Sequence, residues 1–345
     1  MNRDTDEGAG ERVDVAVVGA GITGLVVCRA LTERGRDVLA LEAADRPGGV
    51  IESRRVRGRL VELGPQRTRL TGPISALVDE LGLEEELLTA PSGLPLYVYR
   101  GGRLRRAPLG PGEFLGTDLF SLSGKLRFLA EPLAGPPREE ETVAEYFRRS
   151  FGREAYRHFL GPLFGGIYGS DPERMPARHS LIPLWRAFGA PRSFVLSAAR
   201  RAATRGERPP ACSFREGLST LTDALGEACG DRLRLEAPVA GVAREGDGFT
   251  VAVEEGGTVR ARRVVLTVPA PEAARLLEGT AGAGIEALGR LRYNPLAVVH
   301  LQSSLERRGY GYQISFGEDG FATRGVTWNA SLFGRRGVYT AYLGG

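Results

Sequence analysis

Lysine is almost missing from this chain: Lys125 is the only one, and arginine carries the rest of the positive charge. The skew reflects a GC-rich genome more than a function, but it leaves many planar guanidinium donors for carboxylates and phosphates. The net charge of +4 is small for 345 residues, with the two signs interspersed. No aromatic residues interleave with a basic stripe, which argues against nucleic acid as a partner. Cysteine is scarce too. Cys28, Cys212 and Cys229 form no C-x-x-C pair, and an odd count does not indicate a disulfide framework. The three histidines, His158, His179 and His300, fit no metal spacing and no Ser-His-Asp pattern, so no metal site and no triad are expected. Nor does any apolar run approach the roughly 20 residues that span a bilayer. Met1 to Arg12 are charged and small, without the apolar core of a secretory signal. They are read as a disordered leader, and the cytoplasm is the expected location.

What is present begins with Val13–Val18, a short apolar run of the kind found in buried parallel strands. Helical periodicity follows from Ile22 to Glu33, with Leu25, Val26 and Leu31 on one face and Gly35 placed where a helix end favours a left-handed residue. Val38–Leu41 gives a second buried strand that ends at Glu42, which completes a βαβ unit. A further helix is expected around Ile74–Leu81, stopping at Gly82. Tyr97–Tyr99, Gly101-Gly102 and Leu104 read as a β-hairpin. From Pro111 to about Arg205 the pattern is helical and broken by Pro-Gly clusters, with a capping box at Thr142 and Glu145. Beyond it, Leu218, Leu221 and Leu225 mark a helix, Leu233–Val239 and Phe249–Val253 alternate like strands, and Val264–Val268 is a buried strand ended by Pro269. From Leu296 the chain is β-rich, and it stops in an apolar strand followed by Gly-Gly, so an incomplete chain is expected.

Chemistry enters at Gly19-Ala20-Gly21-Ile22-Thr23-Gly24, directly after a strand and at the opening of a helix. Gly19 permits the tight turn, Gly21 lets backbone approach a pyrophosphate, and Gly24 lets helix and strand pack closely. The pyrophosphate then meets the free N–H groups and the positive end of the helix. Glu42 closes the second strand about twenty residues on, where a carboxylate accepts from ribose hydroxyls. Strand, helix and acid agree, so the turn is read as a dinucleotide site; the motif by itself does not separate NAD from FAD.

The stretch Glu42-Ala43-Ala44-Asp45-Arg46-Pro47-Gly48-Gly49-Val50 resembles the amine oxidase–phytoene desaturase–protoporphyrinogen oxidase superfamily of flavoproteins. The resemblance implies FAD, with Ala43, Arg46, Gly48, Gly49 and Val50 along the pyrophosphate and towards the flavin. Glu62-Leu63-Gly64-Pro65-Gln66 looks like the E-x-G-P segment of protoporphyrinogen and coproporphyrinogen oxidases, which places Gly64, Pro65 and Gln66 beside the isoalloxazine. Pro162 to Pro172, P-L-F-G-G-I-Y-G-S-D-P, resembles the loop bordering the tetrapyrrole pocket in that family, which makes Gly166, Ile167, Tyr168 and Gly169 candidate substrate contacts. Pro238-Val239 is similar to the adenine-side strand and Thr267-Val268-Pro269 to a family strand end, so Val239 and Thr267 join the cofactor set. Leu96 stands where plant and animal members often carry an arginine for a substrate carboxylate; Arg100 and Arg103 are the nearby candidates, with solvated hairpin arginines the commoner alternative.

The implied fold is α/β: a Rossmann-type FAD-binding domain (residues 13–90 and 208–290) behind a leader (1–12), a hairpin and helical insertion (91–207), and the start of a β-rich substrate domain (291–345). The implied activity is oxygen-dependent oxidation of protoporphyrinogen IX or coproporphyrinogen III in heme biosynthesis. It takes six electrons in three hydride steps, with peroxide as product. The flavin supplies the chemistry, and no catalytic acid or base is singled out. Porphyrinogen and dioxygen are the implied partners. A membrane surface and another heme-pathway enzyme are further candidates, the former through a lid carrying Phe188, Phe194 and Leu196 beside several arginines. A packed helical bundle is the preferred reading of that insertion. The rival activities are another flavin amine oxidase, a carotenoid desaturase, or a flavin-binding chain without turnover, and poor flavin retention is expected.

Overall fold

The computed structural model describes residues 11–187, 189, 192–203, 209–254, 257–280 and 284–344. They form two compact units, one from residues up to Leu88 with Ala211–Tyr293, the other from Thr89–Pro210 with Asn294 onward.

The first unit is built on β1 (Glu11–Val18), α1 (Ile22–Thr32) and β2 (Val38–Leu41). β1 and β2 run parallel, with Val15 opposite Val38 and Val18 opposite Leu41. After the chain's long excursion come β3 (Val239–Glu245), β4 (Gly248–Val253) and β5 (Gly257–Leu266). β5 inserts parallel to β1 on its other side, and β4 and β3 extend the sheet as an antiparallel meander. All four β2 residues are buried, because both faces of the sheet are covered. Val15, Val17, Val38 and Ala40 pack on α1 and the Ser219–Cys229 helix through Leu25, Cys28, Leu221 and Leu225. Ala16, Val18, Leu39 and Leu41 face Val242, Val251, Val259 and Leu276. The period of two in β1 and β2 thus feeds two separate cores.

Three expectations shift. β1 starts at Glu11, inside the supposed leader, because Glu11 and Arg12 pair with Val259 and Arg260 of β5. The Leu233–Val239 strand is cut: only Leu233–Arg234 pair with β2. There the Glu236 and Ala237 N–H groups donate to the carbonyls of Ala44 and Glu42, which bends the chain over the end of β2 with Glu236 at φ 50°. The strand placed at Val264–Val268 begins seven residues earlier, at Gly257, and is only half-buried over its last three residues.

The second unit joins a six-stranded sheet to a helical layer. The hairpin Leu96–Arg100/Arg103–Arg106 turns on Gly101 and Gly102, both at positive φ. Gly311–Ile314 adds parallel to Leu96–Arg100, and Thr323–Trp328, Val338–Gly344 and Leu296–Gln302 complete the sheet. The helical layer includes α2 (Leu122–Leu129), α3 (Gly161–Tyr168) and α4 (Phe194–Ala203). Its core is aromatic, with Phe114, Phe120, Tyr146, Phe147, Phe151, Tyr156, Phe159 and Phe164. Of the lid residues expected from sequence, Phe194 instead packs on this core, Leu196 is exposed, and Phe188 lies outside the described residues. The Thr142–Glu145 capping box forms as expected at the head of the Val143–Phe151 helix. No helix among the described residues is long and apolar enough to cross a membrane.

Candidate functional site

The glycine turn is held from behind. Gly19 takes φ 95° and its N–H donates to the Leu41 carbonyl at 2.8 Å. The Thr267 hydroxyl donates to the carbonyls of Gly19 (2.7 Å) and Val18 (3.0 Å), locking the turn to the end of β5. A Cβ on Gly24 would sit 1.9 Å from the Gly19 carbonyl oxygen, so only glycine lets α1 approach this closely. Gly21 differs: it caps α1 in extended conformation, and a Cβ there would meet nothing within 4 Å. No side chain caps this helix end and no acid occupies its first turn. A helix start without a side-chain cap or an acid is of the kind that accepts an anion at its N–H groups.

Glu42 faces the same turn. One carboxylate oxygen accepts from the Ala20 N–H at 2.6 Å and the other from Ala44 at 3.0 Å. Two acceptor positions remain for hydroxyls. Ala43 is exposed beside it, and the 234–239 crossing passes over the Glu42 backbone to deliver Val239, buried, at the start of β3. The Val239 carbonyl accepts from Arg275 Nη2 at 3.3 Å.

The loop after Glu42 closes against the turn. The Gly48 N–H donates to the Ala20 carbonyl at 2.8 Å, and Gly49 lies so near Gly21 that a Cβ would be 3.2 Å from its Cα. Arg46 is engaged differently from expectation. Its guanidinium donates to the carbonyls of Pro47, Gly49 and Ile51 and to the Glu52 carboxylate, at 2.8–3.1 Å. With these bonds the arginine shapes the Pro47–Glu52 loop, and Val50 stands out of that loop almost fully exposed. Gly64 touches Val50, where a Cβ would fall 1.8 Å from the Val50 carbonyl oxygen, and Pro65 beside it is exposed. Gln66 turns inward; its amide donates to the carbonyls of Glu62 and Gly64. Gln66, Arg46 and Thr267 thus brace the site from within.

Three bracing groups, Ser53, Ser219 and Thr222, went unnoticed in the sequence, and Glu62 was quoted only as part of a motif. Glu62 is buried and accepts from the Ser53 hydroxyl (2.5 Å) and the Leu218 N–H (3.1 Å). Ser53 and Ser219 exchange backbone-to-hydroxyl bonds, and Thr222 packs where a Gly48 Cβ would be. Ser53 and Ser219 are 166 residues apart, and Thr222 is as remote from Gly48, so no local pattern marks these contacts.

The proposed substrate segment lies in the second unit. It is helical rather than a loop: α3 runs through Gly166, Ile167 and Tyr168 and ends on Gly169 in the left-handed conformation. Phe164 stacks on Tyr168 at 4.7 Å and fastens the helix to the core, leaving Ile167 and Tyr168 exposed. The Asn294 amide donates to the Gly169 carbonyl at 2.9 Å. Gly165 and Gly166 form one wall of a cleft of about 510 Å³, opposite Ile314–Glu318 and Phe321–Arg324. Ser315 in that wall is hydrogen-bonded to His158 Nδ1 at 2.7 Å, and burial with Arg100 and Arg157 nearby pushes the imidazole down to about 4. Of the two arginines considered for a carboxylate, Arg100 donates to the Leu119 carbonyl, while Arg103 is exposed on the hairpin. No cluster of potential metal ligands occurs among the described residues.

Residues 22–306 match the family profile of flavin-containing amine oxidoreductases. Chloroplastic protoporphyrinogen oxidase of Oryza sativa subsp. japonica is 30% identical, over 98% of this chain and 70% of the relative. Coproporphyrinogen III oxidase of Bacillus subtilis (strain 168) is 27% identical, over 91% of this chain and 72% of the relative. Among solved structures, a provisionally named protoporphyrinogen oxidase from Exiguobacterium sp. 255-15 superposes with a TM-score of 0.76 at 23% identity, covering 97% of this chain and 77% of that one. A dinucleotide-type turn in a flavin family makes the cofactor FAD, and the chain belongs to the flavin-containing amine oxidoreductases.

Proposed function

We propose that this enzyme oxidises a porphyrinogen, protoporphyrinogen IX or coproporphyrinogen III, to the porphyrin of heme biosynthesis, with dioxygen as acceptor. The observation that carries the reading is α3, whose Gly165 and Gly166 wall a cleft of about 510 Å³, in a chain whose relatives bear the names of both oxidases. Flavin supplies two-electron acceptance, so three turnovers remove six electrons and consume three dioxygen molecules to give three of peroxide.

The protein's own contribution is position. Gly19, Ala20, Gly21, Ile22, Thr23 and Gly24 offer backbone to the pyrophosphate, and Glu42 with Ala43 takes the ribose. Gly48, Gly49, Val50, Gly64 and Pro65 line the way to the ring. Arg46, Gln66, Val239 and Thr267 hold those segments in place. Gly166, Ile167, Tyr168 and Gly169 border the macrocycle, and Phe316 and Phe321 line the cleft beside Gly166. The N–H protons that leave with each oxidation have no dedicated acceptor in this reading. A cytoplasmic enzyme with peripheral membrane contact, handing its product to another heme-pathway enzyme, completes the proposal. The test is to load the chain with FAD and follow porphyrin fluorescence and peroxide with each porphyrinogen, in air and under argon. Oxidation of at least one in air is expected. A flavin-replete protein inert towards both would overturn the proposal and leave the FAD site standing.

A further inference from the structure

The cofactor chemistry uses no thiol, yet two cysteines far apart in sequence meet in the core of the first unit. Cys28 lies within α1, and Cys229 is the last residue of the Ser219–Cys229 helix. Both are buried and free, packed among Leu25, Leu221 and Leu225 where the two helices meet. Each sulfur is set against the other's element. Cys28 Sγ lies 3.9 Å from the carbonyl oxygen of Arg232, just beyond the second helix. Cys229 Sγ lies 3.8 Å from that of Leu25, one turn before Cys28. The thiols are also hydrogen-bonded to one another. A cysteine buried singly behaves as a small apolar side chain. A contacting pair on two packed helices has the placement that a disulfide requires.

The two thiols are not equivalent. The hydrogen bond from Cys28 holds the Cys229 thiol below its ordinary value, and the Arg29 and Arg232 guanidinium groups act the same way against burial. The same bond, together with burial, pushes Cys28 up. Cys229 is thus the partner that gives up its proton and attacks, while Cys28 waits as a thiol. Cys229 also ends its helix, and Gly230, Asp231 and Arg232 after it are exposed, which gives a water-sized oxidant a short path. Cys212 differs: it lies in the Ala211–Phe214 strand, and burial pushes its thiol up to about 11.

We propose that Cys28 and Cys229 form a peroxide-sensitive dithiol, which hydrogen peroxide converts to a disulfide that clamps α1 to the Ser219–Cys229 helix. The Cys229 thiolate attacks one peroxide oxygen; an S–O bond forms, the O–O bond breaks, and the departing hydroxide takes up a proton to leave as water. The Cys28 sulfur then attacks the Cys229 sulfur. The S–S bond forms as the S–O bond breaks, and the Cys28 proton leaves with that hydroxide as a second water. The thiol pair loses two electrons, and one peroxide is reduced to two waters. The clamp falls behind the cofactor turn: α1 carries Gly21 at its head, and the partner helix carries Ser219 and Thr222, which brace Ser53 and the Gly48 loop. Peroxide is a product of the oxidation proposed above, but the test supplies it directly, so either reading can fail while the other stands.

The folded, FAD-loaded protein is treated with hydrogen peroxide, quenched, and denatured with an alkylating reagent, and its thiols are counted and mapped. The count should fall from three to one, with an intact mass lower by two hydrogens, a peptide joining Cys28 to Cys229, and recovery with dithiothreitol. Closing so long a loop should raise the Tm by about 3–6 °C. Cys212→Ala should behave as wild type does, and Cys28→Ala should show neither the cross-link nor the Tm rise. The proposal is overturned if peroxide leaves three thiols in the folded protein, if wild-type Cys229 gains oxygen without a cross-link, or if the cross-link forms only after denaturation. A complete cross-link with an unchanged Tm would also overturn it, because nothing would then be clamped.

Discussion

Two glycines three residues apart should respond to the same substitution in opposite ways. A methyl on Gly24 would overlap the Gly19 carbonyl oxygen at 1.9 Å and crowd the Thr267 hydroxyl at 2.8 Å. An ordinary carbon–oxygen contact needs more than an ångström beyond that, so α1 must move off the sheet. Overpacking of this size costs about 2–3 kcal/mol, or a Tm lower by roughly 3–4 °C, with or without cofactor. A methyl on Gly21 meets no protein atom, at φ −61° where alanine is comfortable. Its smaller unfolded-state entropy favours folding by about 0.4–1 kcal/mol, and alanine's weakness as a helix N-cap offsets about as much. Apo stability should therefore stay within about 1 kcal/mol of wild type. If Gly21 meets the pyrophosphate as proposed, the methyl instead intrudes on the ligand, at a cost of about 2–3 kcal/mol, or roughly 30- to 150-fold in Kd. Thermal unfolding of apo protein and FAD titration followed by absorbance separate the two effects. If Gly21→Ala keeps wild-type FAD affinity, or unfolds as early as Gly24→Ala, the assignment of Gly21 to the pyrophosphate is wrong.

Other substitutions probe the braces and the second unit. Thr267→Val keeps the shape of the side chain but removes both hydrogen bonds to the turn, so a loss of about 1–2 kcal/mol in urea unfolding and weaker FAD binding are expected. Glu131→Ala leaves the Ser193 hydroxyl and two N–H groups of α4 without their acceptor, which should cost about 2–4 kcal/mol by denaturant titration; a neutral result would mean that water replaces the carboxylate. His158 is held neutral by burial, with its folded pKa near 4 against 6.5 for the free side chain. Its contribution is intact above pH 6.5 and is lost as pH falls from there towards 4, because the unfolded state then binds the proton first. Stability measured across that window should slope upward with pH, and His158→Gln should flatten the slope; an unchanged slope would place the titration elsewhere.

How much was legible depended on how far apart the interacting residues lie. β1, α1 and β2 are local, and the period-two and period-3.6 patterns with Gly35 at the helix end located them to within two residues. The Gly101-Gly102 hairpin and the Thr142 capping box were legible for the same reason. The partners of the hairpin were not, since Gly311–Ile314 joins it across about 200 residues and no periodicity encodes that register. Leu233–Val239 misled because alternation alone cannot show that Glu236 and Ala237 donate to the end of β2 rather than to a neighbouring strand. The end of α3 was taken for a loop because Pro162 to Pro172 resembles a loop of the family. Both Gly165 and Gly166 are helical there, Gly165 kept small by Ser170 and Pro172, with only Gly169 in the left-handed cap.

The same distance argument separates two kinds of residue within the cofactor site. Positions where backbone must meet a ligand announce themselves, because glycine is the only solution and its spacing is fixed by the turn. Positions that hold the turn do not. Arg46 and Gln66 occur in the family motif, yet their donors are spent on neighbouring carbonyls, so their presence in the motif records a loop shape as much as a ligand contact. Arg46→Lys distinguishes the two roles. An ammonium preserves the charge a phosphate would need but cannot reach Pro47, Gly49, Ile51 and Glu52 with one planar fork. If Arg46 shapes the loop, the lysine variant should bind FAD about tenfold more weakly, with no change in the salt dependence of binding. A variant that keeps wild-type affinity, or loses it only through a shallower salt dependence, would return Arg46 to the pyrophosphate.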